Sequence, residues 1–149
     1  MQKIVFLFLK IIKRLKRALF RPIDWLGSLV IFYSNNVHFS TFTNQGLPKV
    51  NVSREGRLTI GPGFRSNNRE MANPIGRFHP CSLIVSGNGV LSIGSNVGMS
   101  SSAIVCHRKV VIGDNVNLGG GTVIYDTDFH SLSRVDRKDP ITDLSLIHI

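Results

Sequence analysis

The chain has 149 residues, 42% hydrophobic and 18% charged, which is enough for one domain with its own core and too apolar for a disordered tail. The formal charge of +9 is unevenly spread: residues 1–21 hold Lys3, Lys10, Lys13, Arg14, Lys16, Arg17 and Arg21 without an acid, a net +7, and the remaining 11 bases and 9 acids leave +2. With no basic face interleaved with aromatics and no binding motif elsewhere, a nucleic-acid partner is not expected.

Residues 1–33 read as a basic helical segment. "IVFLFLKIIKRLKRALF" places Ile4, Phe8, Ile11, Ile12, Leu15 and Leu19 at helical spacing, with Lys13, Arg14, Lys16 and Arg17 opposite. The spacing predicts a helix over 3–20, peripheral to the rest, with Pro22 as its natural terminator. Two uses fit such a helix. It lies on an anionic membrane surface, or it docks on the body of an oligomer with its basic face in solvent. No run of about 18 uncharged apolar residues forms an ordinary span, and the charges follow the apolar run, unlike those of a secretory leader. With only Cys81 and Cys106 present, the reading is a reduced, cytoplasmic protein, peripheral to the inner face of the membrane.

Residues 34–143 carry a different rhythm. From Leu91 onward, pairs two residues apart recur every six: Leu91/Ile93, Val97/Met99, Ala103/Val105, Val110/Ile112, Val116/Leu118 and Thr122/Ile124, with one step of seven. Each pair but the last is followed by a small residue. Residues two apart share a strand face, and a reset every six residues turns a corner. Three corners close a coil of about 18 residues, and stacked coils make a solenoid. Leu58/Ile60 belongs to the same series once residues 66–80 are set aside as an inserted loop. Val50/Val52 opens an earlier side, and 34–48 have no readable phase. Ile60, Ile93 and Ile112 should therefore stack. Cys106, in a small-residue slot, and Cys81, before "SLIV", read as packing residues.

The run ends in "YDTDFH", residues 125–130. In an extended segment Asp126, Asp128 and His130 would project to one side. A carboxylate beside an imidazole fixes its tautomer and raises its basicity, which suits a general base. The same residues would also serve as a solvated turn. His38, His79, His107, His130 and His148 offer no closely spaced pair, so no metal is expected.

"LTIGPG", "LSIGSNVGMSSSAIV" and "VVIGDNVNLGGGTVIYDTDFH" resemble the hexapeptide-repeat acyltransferases, specifically the branch of maltose and galactoside O-acetyltransferases, over about residues 50–140. The resemblance implies a left-handed parallel β-helix, a homotrimer, and acetyl-CoA or another acyl-CoA as co-substrate. It implies that His130 is the general base, oriented by Asp128 or Asp126, with Asp128 preferred as the nearer. The acceptor is then a hydroxyl of a sugar or cell-surface polysaccharide. Related enzymes use an Asn for the acceptor where this chain reads "GMSSSA". The family's further coils are not seen after His130, and 144–149, "LSLIHI", lack hexad phase, so the chain reads as a C-terminally truncated piece, inactive alone. The alternative is a non-catalytic β-helix scaffold or trimerisation module.

Overall fold

A computed structural model describes residues 2–69, 79–129 and 146–149. Among the described residues one helix, α1 (Gln2–Ser34), precedes short strands arranged in three parallel sheets. The first sheet stacks β1 (His38–Phe39), β4 (Arg57–Ile60), β7 (Val90–Ile93), β10 (Lys109–Ile112) and β13 (Leu146–His148). The second stacks β2 (Phe42–Gln45), β5 (Phe64–Asn67), β8 (Gly98–Ser100) and β11 (Asn117–Leu118). The third stacks β3 (Lys49–Val52), β6 (Ser82–Val85), β9 (Ala103–Cys106) and β12 (Val123–Tyr125). Each strand pairs with the strand three places on in the chain, so the architecture is a three-sided parallel β-helix of the left-handed type.

The predicted isoleucine column is present. Ile60 pairs with Ile93 and Ile93 with Ile112, with Phe39 below them; Leu58, Leu91 and Val110 form the adjoining column. The step from Ile60 to Ile93 contains the insertion. It begins later than residue 66, because Ser66 and Asn67 are still in β5, opposite Asn44 and Gln45. On the third side the expected phase is off by one. Ile104 and Cys106 are fully buried, and Ala103 and Val105 face outward, half-exposed. Ser101 turns the corner before β9 with φ +44° and uses up the extra residue that spacing alone had assigned further on. Val116 and Thr122 are likewise only partly buried.

The unphased stretch 34–48 folds as β1 and β2. Its pattern is illegible because polar side chains take inward positions. Asn44 donates to Ser28 Oγ at 2.7 Å, Ser66 Oγ donates to Asn44 Oδ1 at 2.7 Å, and Asn68 donates to Ser66 Oγ at 2.8 Å. Every member of this buried row is satisfied, so it costs little to bury. It joins the helix to the first two coils. Asp24, bonded to Arg69 at 2.8 and 3.0 Å, and Phe32, edge-on to Phe42 at 5.0 Å, complete that attachment.

Pro22 does not end the helix. Pro forfeits one intrahelical hydrogen bond, but the contacts of Asp24, Ser28 and Phe32 lie beyond it and hold the following turns helical, a case of packing overriding propensity. The end comes at Asn36, with φ +51°, where the Val37 amide closes on the Phe32 carbonyl at 3.0 Å. Within "LSLIHI", which was expected to lack phase, Leu146, Ile147 and His148 pair in parallel with Lys109, Val110 and Val111. The neighbouring edge sets the register of so short a strand.

Small residues after the inward aliphatics have a reason other than bending. A Cβ on Gly61 would lie 2.7 Å from the Gly94 carbonyl carbon, and one on Gly94 would lie 2.8 Å from that of Gly113. Backbone rests on backbone at this corner. The bend itself falls two residues later, at Gly63, Asn96 and Asn115, all with positive φ; the repeated "GPG", "GSN" and "GDN" are its sequence sign. Gly94→Ala should therefore cost about 1–3 kcal/mol through forced separation of coils, more than the conservative Ile93→Val at about 1 kcal/mol. Urea unfolding of both variants measures the difference.

Candidate functional site

The end of β12 places the two predicted carboxylates in opposite environments. Asp126 is fully buried, continuing the inward column of Val85 and Cys106, whereas Asp128 is exposed. The expected shared side therefore does not hold for this pair. His130 lies outside the described residues.

Asp126 has a full set of partners. Its Oδ1 accepts the His107 amide at 2.6 Å, and its Oδ2 accepts the amides of Arg108 at 2.8 Å and Lys109 at 2.7 Å. Cys106 Sγ donates to Oδ2 at 3.5 Å. Three successive amides of the β9–β10 corner would otherwise point unpaired into the interior, and one carboxylate from the coil above satisfies them all. Such charge-assisted bonds keep a buried anion in place without a cation. Asp126 is a corner-holding residue. Spacing alone could not reveal this, since it shows two acids two apart and not which faces the axis.

The carboxylate also governs the thiol beneath it. Burial, then the negative charge of Asp126, pushes the Cys106 thiol up to about 12, and burial raises Cys81 as well. Both stay protonated and inert, which agrees with their packing role.

Beyond Asp126 the described chain runs on only to Phe129. Thr127 is buried and its Oγ1 accepts the Phe129 amide at 3.1 Å. Phe129 adopts φ +61°, an uncommon conformation for a bulky residue, immediately before His130. Its ring meets Tyr125 edge-on at 4.9 Å and His107 at 5.8 Å. These rings lie near the exposed Arg108, Lys109 and Asp128, where the described chain reaches Phe129. His107 was not singled out from the sequence; it arrives there because the β9–β10 corner lies directly under β12.

A second concavity lies on the outer face of the second sheet. It is a cleft of about 530 Å³ bounded by Arg21 of α1 and by Gln45, Arg65, Asn67, Ser100 and Asn117. Gly98 and Gly119 also line it, so hydroxyl, amide and guanidinium groups border the cleft. The "GMSSSA" stretch contributes Ser100 here. Ser101 and Ser102 are buried at the following corner instead.

Two measurements test the Asp126 cluster. Asp126→Ala should destabilise the fold by about 2–4 kcal/mol, because it strands buried amides; chemical denaturation reads this directly. A thiol that ionises near 9 when unfolded and near 12 when folded contributes its full stability below about pH 9. That contribution is lost as pH rises from 9 towards 12. Wild type should accordingly lose stability faster than Cys106→Ala over pH 9–11, since only the variant lacks this titration.

Compared with protein-family profiles, with curated proteins and with solved structures, the chain matches none, so the β-helix and the chemistry of its surface are what speak for its function.

Proposed function

We propose that the protein is a CoA-dependent O-acyltransferase acting on a hydroxyl of a sugar or polysaccharide, with His130 as general base. The observation that carries this reading is the change of environment across "YDTDFH" at the end of a β-helix coil. Asp126 closes the corner, Phe129 turns the chain in a costly conformation, and Asp128 is left exposed two residues before the histidine. A purely structural turn has no need of the last two features. Since Asp126 is committed to three amides, Asp128 is the carboxylate free to orient an imidazole, as the resemblance to hexapeptide-repeat O-acetyltransferases also implies.

In this reading the neutral imidazole takes the proton of the acceptor hydroxyl as its oxygen attacks the thioester carbonyl. The carbon–sulfur bond breaks, the acyl group passes to oxygen, and the proton goes to the departing thiolate. The cleft with Arg21, Arg65, Asn67 and Asn117 fits a polar, hydroxyl-rich acceptor. Subunits would meet as a homotrimer, the arrangement the resemblance implies. The scaffold alternative draws on Asp126, whose whole hydrogen-bonding capacity serves the fold.

Acceptor-dependent release of CoA thiol from acetyl-CoA is the test. His130→Ala should lower turnover by ~10²–10⁴, the worth of a positioned base, with circular dichroism and oligomeric size unchanged. Asp128→Asn should cost less, because the imidazole remains. The wild-type rate should rise with pH as an imidazole loses its proton, and His130→Ala should lack that limb. Both variants are compared in the intact enzyme, where a folded His130→Ala protein with near-normal turnover would falsify the assignment and a folded wild type without acceptor-dependent release would leave the scaffold.

A further inference from the structure

The helix carries an unpartnered face that the fold does not use. From Ile4 through Phe8, Ile11, Leu15 and Leu19 to Ile23, Leu26, Val30 and Tyr33, apolar residues recur at steps of three or four, all exposed. At 3.6 residues per turn they form one stripe, about 45 Å long. The contacts with the solenoid come from Asp24, Ser28 and Phe32, on the opposite side of the same helix. The stripe thus faces away from the β-helix along the whole of α1, including the half that is firmly attached. Among the described residues, none of the β-helix covers the apolar face.

The occupant of the stripe is indicated by charge. Residues 1–21 contain seven cations and no acid, and the first acid, Asp24, is already paired with Arg69. A second copy of the helix would bring the same cations and no acid to offset them. An anionic lipid surface supplies the missing charge and takes up the apolar stripe. The basic residues Lys3, Lys10 and Arg14 fall opposite the stripe, on the polar side that a surface helix keeps at the headgroups. No described helix is long and apolar enough to cross a bilayer. Ile4–Leu9 are apolar all round and exposed, so the first turns would sit deepest.

We propose that α1 lies flat on an anionic membrane along its full length, with Ile23, Leu26 and Val30 inserted as well as the residues before Pro22, and carries the β-helix on its upper side. The helix is then a platform, not a flexible tether. Its attachment through Asp24, Ser28 and Phe32 fixes which end of the solenoid faces the lipid. This inference does not depend on the acyltransferase reading.

Vesicle flotation of the full chain with phosphatidylcholine, alone or mixed with phosphatidylglycerol, tests it. Wild type should bind the mixed vesicles and not the neutral ones, and salt should weaken binding. Replacing Lys3, Lys10 and Arg14 with Gln should weaken it about fivefold per charge. Leu26→Ser and Val30→Ser, exposed and beyond Pro22, should each lower partitioning about tenfold with unchanged circular dichroism. An environment-sensitive fluorophore on Val30→Cys should shift to the blue on the mixed vesicles; the native thiols are buried and do not compete. If Leu26→Ser and Val30→Ser bind like wild type and the label does not shift, only the tip inserts and the flat platform is wrong. A wild type that ignores anionic vesicles, yet forms an oligomer that Leu26→Ser dissolves, would assign the stripe to a second copy.

Discussion

Coil-on-coil registry is the constraint from which everything else follows. Each strand is only two to four residues long, too short to be stable alone, and gains its hydrogen bonds entirely from the coils above and below. Stacking at this spacing brings identical corners into contact, so a corner must either have no side chain or hold its neighbour's backbone groups. Gly61, Gly94 and Gly113 meet the first condition. Asp126 meets the second, with three amides on one carboxylate.

The same registry explains how a residue that looks catalytic becomes structural. Asp126 occupies a core slot in the column above Val85 and Cys106, where an aliphatic would be the default. An aliphatic there would leave the corner amides at 107–109 unpaired, and the buried carboxylate is less costly than that loss. Past this inward slot, Asp128 and Phe129 are exposed and free of the coil's packing. The turn at Thr127–Phe129, closed by Thr127 Oγ1, is where that freedom begins.

The helix follows a separate logic, since it is attached by a polar row and one aromatic cluster instead of by its apolar stripe. Ser28, Asn44, Ser66 and Asn68 give directional contacts that specify one docking register, with Asp24 and Arg69 closing the edge. That arrangement releases the more hydrophobic face for another partner.

The sequence by itself determined the solenoid, because the alternation of two and the reset near six are covalent facts about which residues can share a face. It determined the column Ile60, Ile93 and Ile112, the presence of an insertion between β5 and β6, the packing role of both cysteines and the helix at residues 2–34. Only the tertiary structure decided the off-by-one phase at Ile104 and Cys106, since a single residue absorbed at Ser101 is invisible in a period that tolerates six or seven. It decided that 34–48 form a coil, whose inward Asn44 and Ser66 break the apolar pattern, and that Leu146–His148 pair with β10, an edge that dictates register to a strand too short to specify its own. It separated Asp126 from Asp128, because burial of a carboxylate depends on which amides lie beneath it. And it turned the apolar stripe of α1 outward: periodicity reveals that a helix has two faces, but contacts with the rest of the molecule decide which one is left uncovered.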